Sequence, residues 1–111
     1  MSEYTIRELV QVAYQDATKK GWHQQMHSFG DLIALAHSEL SEALEAYRLT
    51  GDYLPLVGPG GKPEGVPSEL ADVVIRIADM CGYLGIDLSE AVVNKLAWNR
   101  TRPHRHGGKH L

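Results

Sequence analysis

Apolar residues recur along this chain at the three- and four-residue steps of an α-helix, and nowhere do they alternate with polar ones long enough for a convincing strand. Ile6, Leu9, Val10, Ala13, Tyr14 and Ala17 mark one face of a first helix over about residues 4–20, with Gly21 as its C-terminal stop. Ser28, followed three residues later by Asp31, reads as the cap of a second helix. Its stripe runs through Leu32, Leu35, Ala36, Leu40, Ala43, Leu44 and Tyr47 and ends before Gly51. Residues 51–67 contain five Gly and four Pro, which predicts a loop, free of helix and strand, whose length points to function or mobility. Ser68 is expected to cap a third helix, since Leu70, Val73, Val74, Ile77, Met80, Cys81 and Leu84 repeat helically up to Gly85. Asp87 and Glu90 have capping-box spacing and open a fourth helix, which Pro103 ends near Arg102. The pattern therefore predicts an all-α, four-helix bundle-like fold. Helix three is apolar around most of its circumference, more than three neighbours in one chain cover, so the bundle is expected to be completed by homo-oligomerisation, as a homodimer or homotetramer.

At 111 residues the chain has room for one core, so residues 1–111 are read as a single domain with a Gly/Pro loop at 51–67 and a basic His/Gly-rich tail at 103–111. Eleven Lys and Arg stand against fourteen Asp and Glu, a net charge of −3, which provides no overall basic field for nucleic acid. The charges are nonetheless segregated. Lys95, Arg100, Arg102, Arg105 and Lys109 lie in the last 21 residues, where there is no carboxylate. Cys81 is the only cysteine, so an intramolecular disulfide is excluded and a thiolate zinc site is implausible. With no apolar signal core at the N-terminus and no stretch near the roughly 20 apolar residues a membrane span requires, a cytoplasmic protein with no membrane partner is expected.

The informative chemistry lies in where the carboxylates fall on their helices. At about 100° per residue, Glu39 sits inside the apolar sector of helix two, Glu42 at its border, and Glu45 on the solvated side. A carboxylate among leucines costs several kcal/mol if it is ionised and unpaired, so Glu39 needs a cation, a proton or a hydrogen-bond network. On helix three, Glu69, Asp72, Arg76, Asp79 and Tyr83 share a polar stripe roughly 80° wide. Glu39 with Glu42, and Glu69 with Asp72, are i,i+3 pairs about 4.5 Å apart along their axes, so each pair can aim its oxygens at one point. Two such helices facing each other would gather four carboxylates, an all-oxygen site suited to Mg²⁺, with Mn²⁺ as a substitute. A single E-x-x-E is common on solvated helix faces; the second pair, on a helix with its own apolar setting, favours metal binding.

On helix four, Lys95, Asn99 and Arg102 stand at i, i+4 and i+7 on one face and are candidates for binding phosphate oxygens. Trp22 and His23, just past helix one, are candidates for gripping a base. His37, at the border of the apolar sector, is expected to be packed or hydrogen-bonded. The glycines at 58–61 do not form a Walker loop, because Pro63 follows Lys62 and no strand precedes them. A di-iron bundle would need Glu-x-x-His, which neither acidic pair provides.

These residues in this order resemble the MazG-like nucleotide pyrophosphohydrolases of the all-α NTP pyrophosphatase superfamily. The resemblance is carried by H-S-E-L-S-E-A-L-E-A at 37–46, S-E-L-A-D-V-V-I-R at 68–76 and K-L-A-W-N-R-T-R-P-H-R-H-G-G-K at 95–109. It implies that Glu39, Glu42, Glu69 and Asp72 hold Mg²⁺, that Lys95 and Asn99 contact phosphates with Arg102 as a weaker third, and that a nucleoside triphosphate is split into monophosphate and pyrophosphate. Glu42 or Glu39 would take the proton of the attacking water. The long Gly/Pro loop departs from compact members of the family. The competing expectation is a non-catalytic helical module that senses nucleotides or docks a partner.

Overall fold

The computed structural model describes residues 3–102. Four helices carry the fold: α1 (Ile6–Lys19), α2 (Phe29–Thr50), α3 (Val66–Leu84) and α4 (Leu88–Arg100). Their ends follow local capping chemistry. Thr5 and Glu8 form a reciprocal capping box at the start of α1, Ser28 Oγ accepts the Asp31 N–H at the start of α2, and Asp87 Oδ1 accepts the Glu90 N–H at the start of α4. Left-handed glycines, Gly51 and Gly85, close α2 and α3.

Helix α3 begins earlier than its sequence predicts. Val66 and Pro67 form its first turn and Gly65 precedes it, so Ser68 lies inside the helix and its hydroxyl donates to the Pro63 carbonyl at 3.2 Å. Proline fits there because the first helical turn has no use for its missing N–H. The 51–67 segment also holds more order than a plain loop. Leu56–Val57 (β1) pairs antiparallel with Pro63–Glu64 (β2), and Pro59–Gly61 forms a 3₁₀ turn between them. Gly65 is required at the exit of this hairpin: its φ is +89°, and a Cβ would meet the Leu54 carbonyl oxygen at 2.8 Å.

Helix α3 is the hub, packed by α1 and α2, whereas α4 rests on α1. Helix α1 can approach because residue 82 is glycine; a Cβ there would lie 2.6 Å from Tyr14 Cβ. An Arg7–Asp87 ion pair at 3.1 Å joins the first turn of α1 to the cap of α4, on the surface. The interior is small: Ala13, Leu32, Ala43, Val66, Ala78, Met80 and Cys81 are its buried apolar residues, and among the described residues no large side chain is fully enclosed. Leu40 and Leu44 of α2 and Leu70 and Val74 of α3 remain about half exposed or more. His37 is exposed too, not packed as its position predicted; it sits at the rim of an apolar hollow between α2 and α3 lined by Leu40, Val73 and Ile77. Among the described residues no helix is long and apolar enough to cross a membrane.

Candidate functional site

Helices α2 and α3 run antiparallel past each other at their acidic motifs. Glu39 meets Arg76, while Glu42, one turn further along α2, lies near enough to Glu69, two turns back along α3, for its charge to be felt there. This crossing brings Glu39, Glu69 and Asp72 together, with one oxygen from each lying within 4.8 Å of the others. Glu42 borders this trio without joining it. The donor set is three carboxylate oxygens with no nitrogen or sulfur, a chemistry that fits a hard divalent cation such as Mg²⁺ or Mn²⁺. The electrostatics carry the same imprint. The Glu69 carboxyl is held above the usual carboxylate range, first by burial and then by the charges of Asp72, Glu42 and Glu39, while Lys62 on the β1–β2 turn acts in the opposite sense.

The cluster separates two hollows. One, of about 360 Å³, has Glu39 and Asp72 on one wall, with Trp22, Arg76, Asp16 and Lys20 among its other lining residues. The other, of about 230 Å³, has Glu42 and Glu69 on its wall, opposite Lys62 and Leu56 from the hairpin. Thus the Gly/Pro segment, whose role periodicity cannot assign, delivers a lysine beside the carboxylates. Glu45, as expected of the solvated side, is exposed and lies 3.8 Å from Arg48.

Trp22 and His23, adjacent in sequence, have different surroundings. Trp22 is 44% exposed and lines the larger hollow. His23 turns inward: its Nε2 bonds Asp79 Oδ1 at 2.7 Å, with both side chains 6% exposed, and its ring stacks on Tyr83 at 4.6 Å between centroids. Around this pair, His27 donates its backbone N–H to Tyr83 Oη at 3.1 Å and its ring Nε2–H to the Trp22 carbonyl at 2.6 Å. The polar stripe of α3 is therefore divided by level. Glu69 and Asp72 serve the acidic cluster, Arg76 pairs with Glu39, and Asp79 and Tyr83 pin the α1–α2 connector that carries Trp22. Arg76, Asp79 and Lys62 were not singled out as site residues by spacing. For the first two the signal was available, since they share the stripe of the acidic pair.

Lys95, Asn99 and Arg102 are exposed at the C-terminal end of α4 and just beyond it, and none lines either hollow beside the carboxylates. Lys95 and Asn99 lie one turn apart on α4, whereas the helix ends at Arg100 and leaves Arg102 beyond it; α4 rests on α1, so within one chain the three do not meet the acidic cluster. Cys81 is buried, and burial pushes its thiol up, away from thiolate reactivity. The tail at 103–111, including His104, His106 and His110, lies outside the described residues.

No protein-family model matches the chain. It is similar to dCTP pyrophosphatase 1 of Mus musculus, with 27% identity over 104 residues; the match covers 90% of this chain and 59% of that protein. The chain thus spans less than two thirds of the length of the relative it resembles.

Proposed function

We propose that this protein is a MazG-like pyrophosphohydrolase that hydrolyses a (deoxy)nucleoside triphosphate to the monophosphate and pyrophosphate with Mg²⁺, controlling or cleaning the cytoplasmic nucleotide pool. The observation that carries the reading is the convergence of Glu39, Glu69 and Asp72 from two helices, beside a hollow that also holds an exposed indole. Similarity to a dCTP pyrophosphatase supports it independently. A divalent ion on these carboxylates would neutralise the polyphosphate and orient its reacting phosphorus.

The protein's own groups then have distinct tasks. Glu39, Glu69 and Asp72 hold the ion, with Glu42 as a fourth carboxylate at its edge. Glu42 is a better general base than Glu39, because Glu39 already belongs to the trio and to Arg76 whereas Glu42 has no such partner among the described residues. Trp22 offers the base the ring face opposite the one over which Arg76 lies, and His23 supports it from behind through the pinned connector. Lys95, Asn99 and Arg102 are assigned to the phosphates of a site on a second copy of the chain. The apolar residues left exposed on α2 and α3, and a radius of gyration of 16.4 Å against about 13 Å for a compact chain of this length, favour such an oligomer.

The test is release of pyrophosphate and monophosphate by the purified chain with Mg²⁺ across canonical, deoxy and modified nucleoside triphosphates. Turnover of at least one, abolished by chelation, is expected. Binding without release would replace the enzyme with a nucleotide-sensing module.

A further inference from the structure

Arg76 is held by two unlike contacts and keeps one donor unused. Its Nη2 donates to Glu39 Oε1 at 3.3 Å, across the α2–α3 contact. Its Cζ lies 4.0 Å from the centroid of the Trp22 ring. Its Nε is buried and donates to no partner among the described residues. The side chain is 16% exposed and lines the larger hollow together with Glu39 and Asp72. A guanidinium presents five N–H donors in a planar fork that matches the paired oxygens of a carboxylate or phosphate. Here one carboxylate oxygen engages it, at the long end of hydrogen-bond range, while a buried donor is left unused.

The carboxylate that pairs with Arg76 is also a member of the trio within 4.8 Å. Glu39 therefore faces two cationic claims. A divalent ion bound there would repel the guanidinium and take over its counter-charge. The Trp22 face needs no carboxylate to attract a cation, so it retains Arg76 in the hollow when the ion pair breaks. Lys20 also lines this hollow, yet the ion pairs among the described residues give no cluster carboxylate to Lys20 and give Glu39 to Arg76.

We infer that Arg76 is a phosphate-binding residue kept in place by Glu39 until metal arrives: it neutralises Glu39 in the metal-free protein, and metal binding frees its fork for two oxygens of the triphosphate. The inference rests on the proposed pyrophosphohydrolase reading and adds to it a cation supplied by the same chain as the carboxylates.

The test measures Mn²⁺ binding alone by calorimetry, and binding of the non-hydrolysable α,β-methylene analogue of dCTP at saturating Mg²⁺, in the wild type, R76Q and R76K. R76Q is expected to bind Mn²⁺ about tenfold more tightly, because the competing cation is gone, and to bind the analogue about tenfold to hundredfold more weakly, the range for a lost charge-assisted hydrogen bond. R76K, with the charge but not the fork, should bind Mn²⁺ like the wild type and the analogue several-fold more weakly. In a W98F background, Mg²⁺ should alter Trp22 fluorescence in the wild type and leave it unchanged in R76Q. Unaltered analogue affinity in R76Q, or Mn²⁺ affinity that is unchanged or reduced, overturns the assignment. Should R76Q fail to fold, R76K decides: undiminished analogue binding overturns it. A wild type that binds Mn²⁺ and the analogue while the variants match it removes Arg76 alone; one that binds neither removes the pyrophosphohydrolase reading as well.

Discussion

His23 and Asp79, 56 residues apart in the chain, meet at 2.7 Å in an interior where each side chain is 6% exposed. A buried carboxylate without a partner is costly, and His23 provides the hydrogen bond that makes Asp79 tolerable. The pair also ties the connector between α1 and α2 to the hub helix, and Trp22 precedes the histidine by one residue. His23→Ala should therefore destabilise the fold by about 3 kcal/mol, near the low end for breaking a buried pair. Urea unfolding of the variant at neutral pH measures this. A loss within about 0.5 kcal/mol, as for an ordinary surface substitution, would contradict it.

Helix ends were legible in the sequence because capping is local: Ser28, Gly51, Gly85 and Asp87 each act within one turn. The start of α3 was not, because Ser68 resembles a cap while Pro67 is equally comfortable inside a first turn. The hairpin at 56–64 is hidden for a related reason, since a ladder two residues long carries no alternation of apolar and polar positions. At the site, the wheel placed Glu39 in the apolar sector of α2 and Glu69 with Asp72 on one polar stripe of α3, and the antiparallel crossing of the two helices brings the three together. That Asp79 would face His23, or that Lys62 would reach Glu69, depends on a connector and a hairpin whose paths no periodicity encodes. Lys95, Asn99 and Arg102 show the converse: their spacing gives one helical face, but α4 ends at Arg100, short of Arg102, and the helix packs on α1, away from the carboxylates.

Glu69 makes the site pH-dependent with a definite sign. Burial, followed by its acidic neighbours, holds the carboxyl above its ordinary value, so folding favours its protonated form. That contribution to stability is complete below the ordinary glutamate range and is lost as pH rises through the raised value. A divalent cation demands the ionised form and should compete with the proton. Mg²⁺ should accordingly raise the melting temperature more at about pH 7.5 than at about pH 5, and its affinity should fall on acidification. Glu69→Gln should bind Mg²⁺ more weakly and with a flatter pH dependence. Melting curves and calorimetry at the two pH values would check both; equal Mg²⁺ affinity in the wild type at both would contradict them.

Glu42 and Glu45 lie on adjacent sides of α2 and line the same small hollow, but only Glu42 adds its charge to the field at Glu69. Glu45 is exposed and faces Arg48. If Glu42 takes the proton from the attacking water, Glu42→Gln preserves size and fold while removing the base. The turnover number should then fall by about 10²–10⁴-fold, the usual contribution of a general base, with little change in KM. Glu45→Gln should retain near-normal turnover, since it removes only a surface pair of small energetic weight. Pyrophosphate release at saturating Mg²⁺ by the two variants separates a proton acceptor from general acidity on that helix. Equal losses in both, or near-normal activity of Glu42→Gln, would take Glu42 out of the reaction and return the role to Glu39.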